Sequence, residues 1–378
     1  MKKYVLQSAL FWACIPIMWS FLPTYFDGIQ MSSGQIGVLM AINPFVSIIA
    51  QPLFGTQTDK ASSKNKVYNI LMFLTIIGLL LIPMNTNYRY VILIIFIVSI
   101  FQAALLPISE SITLESLEHI GQSYGPVRMA GTVSYALVAI LVGVMMRIDI
   151  TMIFYVTAVI GIANIVVVAL LPTVKGHHDK HNKVSYKVIF EDRMLTNFIS
   201  LTVIAQIMMS FFMTFFAVYF IAQGGLSSQV GWLFFIAALS EVPFLYFADR
   251  IIERFGVKKT LFFSMFIFGV RFVALVFSQS PTWFYFISLL HGMTYIIFAY
   301  SLAVYINKTV RKELRTTGQT VLAVASSIGK IFGSLLGGML IDRLGFQRSM
   351  LIASILCFAT LIVYNFILKK ASKSVIVG

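Results

Sequence analysis

Charge is what this 378-residue chain has least of: Asp, Glu, Lys and Arg together make up 11% of it, and only 14 residues are acidic. A water-soluble domain carries roughly a quarter of its residues as charges, so a conventional soluble fold is excluded. Cysteine is almost missing. Cys14 and Cys357 both lie inside apolar stretches, which excludes a disulfide framework. The apolar stretches do not alternate with polar residues, so they are not the strands of a membrane barrel. No phosphate-cradling Gly-rich loop, no His–Glu–x–x–His pair and no nucleophile set occurs, and no enzyme or cofactor is expected.

Hydrophobic residues fill the space, at 59% of the chain with a mean hydropathy of +0.90. Crossing a hydrocarbon layer roughly 30 Å thick takes about 20 apolar residues in a helix. Such runs fall at 4–26, 34–54, 67–86, 90–113, 126–146 and 150–171, then at 195–222, 228–249, 258–278, 282–306, 317–340 and 347–368. The fold expected is an all-α membrane protein of twelve transmembrane helices in two pseudo-symmetric six-helix bundles. Residues 1–171 form the N-terminal bundle, 172–194 a cytoplasmic linker, 195–370 the C-terminal bundle and 371–378 a short tail. The first run follows Met1–Lys2–Lys3, contains Pro16 and Pro23 and shows no small-residue cleavage site, so it reads as a retained helix.

The net charge of +14 has a topological explanation that makes nucleic acid an unnecessary partner. Lys2 and Lys3, Lys60, Lys64 and Lys66, Arg128, the bases from Lys175 to Arg193, Arg250 to Lys259, Lys308 to Arg315, and Lys369 to Lys373 all fall on one side of the predicted helices. The other side holds Arg89, Arg147, Arg343 and Arg348. Positive loops stay in the cytoplasm, so both termini are expected there, in a multi-pass protein of the cell membrane. The chain is expected to act as a monomer in the bilayer.

The two halves echo each other. Arg128–Met129–Ala130–Gly131 opens the fifth span as Arg315–Thr316–Thr317–Gly318 opens the eleventh, and Gly143 has its counterpart in Gly333. Parallel repeats around a central site suit alternating access. Charges at membrane depth cost about 2.5–3.5 kcal/mol each on insertion scales, so those present need a reason. They are Glu110, Arg128, Glu241, Arg271, His291 and Lys330. Glu110 and Arg128 sit on consecutive antiparallel spans where an ion pair can form. Arg128 could present a fork of donors to a solute, with Glu110 orienting it, or the two could be a structural salt bridge. Tyr135 follows Arg128 by two helical turns and shares its face, as packing or as a stacking surface. Glu241, Arg271, His291 and Lys330 come one per span from the eighth to the eleventh. A carboxylate beside movable cations is the pattern of a proton carrier, with Glu241 the first choice and His291, Arg271 and Lys330 its partners. A polar helix-packing role is the alternative for His291. Asp59–Lys60 and Asp249–Arg250, at helix ends, are candidate gates bridging the halves, or topology signals only. Asp342–Arg343 repeats the pattern on the opposite side. His177–His178–Asp179 with His181 offers imidazoles, but a flexible linker gives no fixed geometry and no metal site is assigned.

Gln51–Pro52–Leu53–Phe54–Gly55 followed by Asp59–Lys60 resembles the loop signature between the second and third helices of the major facilitator superfamily, in its lactose permease version. Tyr124–Gly125–Pro126–Val127–Arg128–Met129–Ala130–Gly131, running on to Gly143, resembles the fifth helix of the same branch. Ser240–Glu241 and the run from Leu290 to Thr294 are similar to the phenylpropionate permeases. The resemblance covers nearly the whole chain. It implies proton symport, a sugar-contacting role for the Glu110–Arg128 pair with Pro107 before the acid, and an aromatic that stacks on sugar at Tyr135. The chain departs from the lactose permease pattern at Thr294, where that branch has an acid. It also lacks the acids of helix seven, and Lys330 falls about one turn from the matching lysine. A drug–proton antiporter is the alternative function. Exporters of the superfamily carry a Gly–Pro–x–x–Gly–Gly run in helix five that is absent here. The expected partners are a small solute (a sugar or oligosaccharide, a nucleoside or an aromatic acid) and protons.

Overall fold

The computed structural model describes residues 1–176, 193–294 and 315–376, together with 298, 301, 302, 305 and 306. The expected histidine cluster His177, His178, Asp179 and His181, and most of the expected linker, lie outside the described residues. Every regular element described is helical. The N-terminal half contains α1 (Lys2–Gly28), α2 (Ser33–Lys60), α3 (Lys64–Leu81), α4 (Tyr88–Gln102), α5 (Leu105–His119), α6 (Gly125–Met146) and α7 (Met152–Ala169). The C-terminal half contains α8 (Arg193–Ala222), α9 (Ser227–Val276), α10 (Thr282–Leu289) and α11 (Arg315–Ile376).

Among the described residues, nine helical stretches are long and apolar enough to cross a bilayer. Two elements are too long for one crossing. The 50 residues of α9 and 62 of α11 would extend about 75 and 93 Å, more than twice a hydrocarbon core of roughly 30 Å. Each turns at a glycine with positive φ, Gly256 (φ 76°) and Gly345 (φ 75°). At ψ 156° and 170° these are conformations that essentially only glycine adopts. Each element is therefore two spans, 227–255 with 257–276 and 315–344 with 346–376.

Two expected spans are interrupted. The run at 90–113 is divided into α4 and α5, because Pro107 has no N–H for the carbonyl of Ala103 and its ring crowds that carbonyl. The helix restarts with Ile108 N–H bonding Ala104 O at 3.0 Å. The run expected at 282–306 is helical to Leu289, 291–294 form a turn, and the described residues beyond it, 298, 301, 302, 305 and 306, are helical again. Here Gly292 N–H turns away from the helix to Ser240 Oγ (2.9 Å), and the Thr294 carbonyl accepts from Ser264 Oγ (2.6 Å). Both partners come from α9, so neighbouring spans satisfy the backbone where the helix breaks. At the far end, α11 runs to Ile376, past the expected end at 368.

Polar pins join the N-terminal helices. Gln7 Nε2 donates to Ser109 Oγ (2.6 Å), Asn164 Nδ2 to the Gln7 carbonyl (2.9 Å) and Tyr68 Oη to Asn164 Oδ1 (2.6 Å). Together they tie α1, α3, α5 and α7, and Lys64 pairs with Glu115 between α3 and α5. After α7 the chain is strapped to the α2–α3 turn, with Lys64 N–H on Val174 O (2.8 Å) and Gly176 N–H on Ala61 O (3.0 Å). Phe212, Phe215, Phe220, Phe272 and Phe284 fill the core of the C-terminal half, while Ile70, Tyr246 and Phe366 are among the large apolar side chains facing outward. A protein apolar on its outside is built for lipid.

The halves meet through small residues. A Cβ on Gly37 of α2 would strike the Ser334 carbonyl of α11, and one on Gly338 would strike that of Ser33. Gly143 of α6 faces Gly231 of α9, whose backbone N a Cβ would meet at 2.9 Å. Small residues allow this close helix approach. At the same end Asp342 Oδ2 accepts from Ser32 Oγ (2.9 Å) and Gly34 N–H (2.8 Å). Thus a carboxylate from α11 caps the N-terminus of α2 across the halves, where the helix dipole favours an anion. At the opposite end a cavity of about 520 Å³ lies between α2, α5 and α11, with Gln51, Asp59, Ser111, Thr320 and Ser327 on its wall.

Candidate functional site

A second cavity, of about 390 Å³, lies at the centre between the halves. Helical spacing explains its walls. Trp12, Pro16, Trp19 and Ser20 form one face of α1, and Arg128, Thr132 and Tyr135 one face of α6. From the other half come Gln206, Ser210 and Met213 on α8, Phe234, Ala238 and Glu241 on α9, His291 in the break after α10, and Lys330 and Ser334 on α11.

Of the residues expected to bind solute, Arg128 and Tyr135 line this cavity and Glu110 does not. The ion pair expected between Glu110 and Arg128 is not formed. Arg128 instead lays its guanidinium over the Trp12 ring, Cζ 3.8 Å from the centroid, and donates from Nη1 to Thr132 Oγ1 at 3.1 Å. This stacking is a cation–π contact that leaves the edge of the guanidinium free for hydrogen bonding. Glu110 accepts from Tyr124 Oη at 3.4 Å. Burial, with the Glu110 carboxylate beside it, pushes the Tyr124 hydroxyl up to about 12, so Tyr124 remains a donor. Pro126 occupies the first turn of α6, where its missing N–H and fixed φ are tolerated. Tyr135 is held by a 2.8 Å hydrogen bond between its hydroxyl and Ser20 Oγ, linking α6 to α1.

The four residues expected for proton coupling divide differently. Glu241, His291 and Lys330 reach the cavity, while Arg271 sits behind His291 at 1% exposure. His291 Nε2 is 3.3 Å from Glu241 Oε1. On the ring's other side, Arg271 Nη1 is 3.3 Å from His291 Nδ1 and 2.9 Å from Thr294 Oγ1. A guanidinium has no acceptor, so Nδ1 must be the unprotonated nitrogen and the imidazole proton sits on Nε2, directed at Glu241. Arg271 also lies over Phe212, Cζ 3.8 Å from the ring centroid, and its buried Nε has no hydrogen-bond partner among the described residues. Thr294, the position without the acid of the lactose permease pattern, is therefore a ligand of Arg271. Lys330 contributes its side chain to the cavity and its carbonyl to Ser210 Oγ (2.9 Å).

Among the candidate gates, Asp59 lies on the wall of the larger cavity and Lys60 is exposed beside it. Asp249 and Arg250 are exposed near the end of the first arm of α9, with the Arg250 guanidinium 5.9 Å from the Phe247 ring centroid. Asp342, at the other end, does bridge the halves, through Ser32 and Gly34. Trp12, Gln206 and Ser210 were not singled out in the sequence. Trp12 could have been found from the Trp12–Pro16–Trp19 face, and Gln206 and Ser210 from polar residues one turn apart in an apolar run.

The sequence pattern of the MFS_1 like family matches residues 5–372. The chain is a major facilitator transporter of that family. Maltose permease of Geobacillus stearothermophilus is 24% identical to this transporter over 344 residues, 90% of this chain and 86% of the permease. Its fold is that of the nucleoside transporter NupG, whose D323A mutant superposes with a TM-score of 0.88 at 17% identity, covering 97% and 98% of the two chains. A bacterial homologue of the human lysosomal transporter Spinster, in an inward-facing unoccupied conformation, superposes with a TM-score of 0.71 at 14% identity, covering 98% and 96%. The transporter is a multi-pass membrane protein that handles small molecules, and it is not an enzyme.

Proposed function

We propose that this transporter imports a small polar or amphipathic solute together with protons, by alternating access of the 390 Å³ cavity. The observation carrying this reading is the chain Glu241–His291–Arg271, open to the cavity at Glu241 and closed by a buried cation at Arg271. Glu241 is the proton carrier. As a carboxylate it accepts from His291 Nε2–H, and once protonated it loses part of that attraction and is free to turn toward the cavity. Arg271 keeps His291 in the tautomer that senses this change. Lys330 modulates the carboxylate across the cavity, and Arg128 and Tyr135 hold the solute, with Glu110 acting on Arg128 from outside. Asp59–Lys60 and Asp249–Arg250 gate the opposite end when the cavity turns.

The likeness to a maltose permease and a nucleoside transporter favours sugars and nucleosides as solutes, with aromatic acids the third candidate from the resemblance to phenylpropionate permeases. The working unit is a monomer in the cell membrane with both termini in the cytoplasm, the bases of the Asp59 end setting the orientation. Its moving bodies are residues 1–171 and 195–370, joined by the linker 172–194 and followed by the tail 371–378.

The test is solute-induced proton movement in proteoliposomes, screening sugars, nucleosides and aromatic acids. Proton entry that accompanies one solute class, together with accumulation that an uncoupler abolishes, supports the reading. Uptake indifferent to uncouplers, or expulsion of cationic drugs in exchange for protons, overturns it.

A further inference from the structure

The central cavity is short of negative charge. Two cations reach it from opposite halves, Arg128 on α6 and Lys330 on α11, against the single carboxylate of Glu241, which already receives His291. Arg271 adds a third positive charge directly behind His291. Neither Arg128 nor Lys330 has a carboxylate within ion-pair distance among the described residues: the pairs formed there are Lys64–Glu115 and His291–Glu241. Glu110 feels the Arg128 charge from outside the cavity without pairing with it, so on the cavity side the two cations face only Glu241, and excess cations at membrane depth call for a counter-anion.

Resting on the reading of this cavity as the solute site, we infer that the transported solute is itself an anion, a carboxylate carried on an aromatic or otherwise flat apolar body. Arg128 is prepared for the carboxylate. Its flat face is occupied by Trp12 and one of its N–H groups by Thr132, which orients the rest of the fork without neutralising it. A planar fork matches a carboxylate with two parallel hydrogen bonds, and the Lys330 ammonium adds a point charge from the other half. Trp12, Trp19, Tyr135 and Phe234 supply aromatic surface for the body of the solute. A solute held in this way touches both halves at once.

The test measures binding to the purified full-length transporter in lipid nanodiscs, using pairs that share a body and differ in charge: 3-phenylpropionate against 3-phenylpropanol, glucuronate against glucose, and orotidine against uridine. In at least one pair the acid should bind about tenfold or more tightly than its neutral partner. Lys330→Met should lower the acid's affinity by a similar factor and leave the neutral partner's unchanged, while Lys330→Arg restores most of the loss. An unchanged melting temperature establishes that these variants fold. Equal or tighter binding of the neutral member in every pair overturns the inference, as does failure of all three acids to bind, or Lys330→Met without effect on the acid. The outcome is separable from proton coupling. Selective binding of an acid that moves no protons sustains this inference and sinks symport, whereas proton movement driven only by neutral solutes does the reverse.

Discussion

His291 directs Nε2 at Glu241 Oε1 across 3.3 Å, because Arg271 occupies its other nitrogen at the same distance. The imidazole is therefore a one-way donor. Whatever happens to the Glu241 carboxylate is felt by a ring that also sits at the break after α10, where Gly292 is tied to Ser240. Protonation and backbone geometry meet within one turn.

If Glu241 carries the proton, its removal should separate binding from coupling. Glu241→Gln is expected to retain counterflow exchange of solute across proteoliposomes while uptake driven by a pH gradient falls to the equilibrium level. Loss of exchange and coupling together, in a folded variant, would place Glu241 in solute binding instead.

The tautomer is directly observable. With only five histidines in the chain, ¹⁵N-histidine NMR should show one ring in the pure Nε2–H form in the native protein. In Arg271→Leu, which removes the guanidinium donor from Nδ1, that signal should become a mixture of tautomers. A ring already mixed in the native protein contradicts the assigned network.

The seal at the Asp342 end should respond to added bulk. Gly338→Val places side-chain atoms against the Ser33 carbonyl, and Asp342→Ala removes the cap on α2, worth about 0.5–2 kcal/mol. Both are expected to raise labelling of a cysteine placed at Asn43, on the α2 wall of the central cavity, by an impermeant maleimide added from the Asp342 side. The native Cys14 and Cys357 are buried and serve as silent background. No increase in either variant would mean that closure does not depend on these contacts.

Gly256 and Gly345 join pairs of spans in a conformation closed to other residues. Gly256→Ala should cost about 1–3 kcal/mol, seen as a lower melting temperature in detergent with the solute site still functional. An unchanged melting temperature would show that the turn relaxes without cost.

Much of this architecture was legible because it depends on local pattern. Apolar length located the spans, and a separation of two turns placed Arg128 and Tyr135 on one face of α6, as found. What escaped depends on groups distant in sequence. Ser32 and Asp342 are 310 residues apart, and nothing near either announces the other. Trp12 took Arg128 from its expected partner Glu110 because α1 packs on α6, a neighbour relation that spacing along α5 and α6 does not contain. The break after Leu289 was hidden for a related reason. A single Gly292 in an apolar run looks tolerable until Ser240 offers its N–H another acceptor.

The glycine-to-backbone seal has an energetic corollary. Gly37, Gly338, Gly143 and Gly231 meet the opposite half with no side chain of their own, so under the proposed alternating access these four positions exchange no rotamer entropy when the halves part. In that proposal the balance between the two states is one that a ligand can shift. Swinging a population from about 1:99 to 99:1 takes roughly 5.5 kcal/mol of differential affinity, within the range of a few charge-assisted hydrogen bonds. Under that reading, a solute in the central cavity could tip the whole molecule without binding tightly enough to be retained.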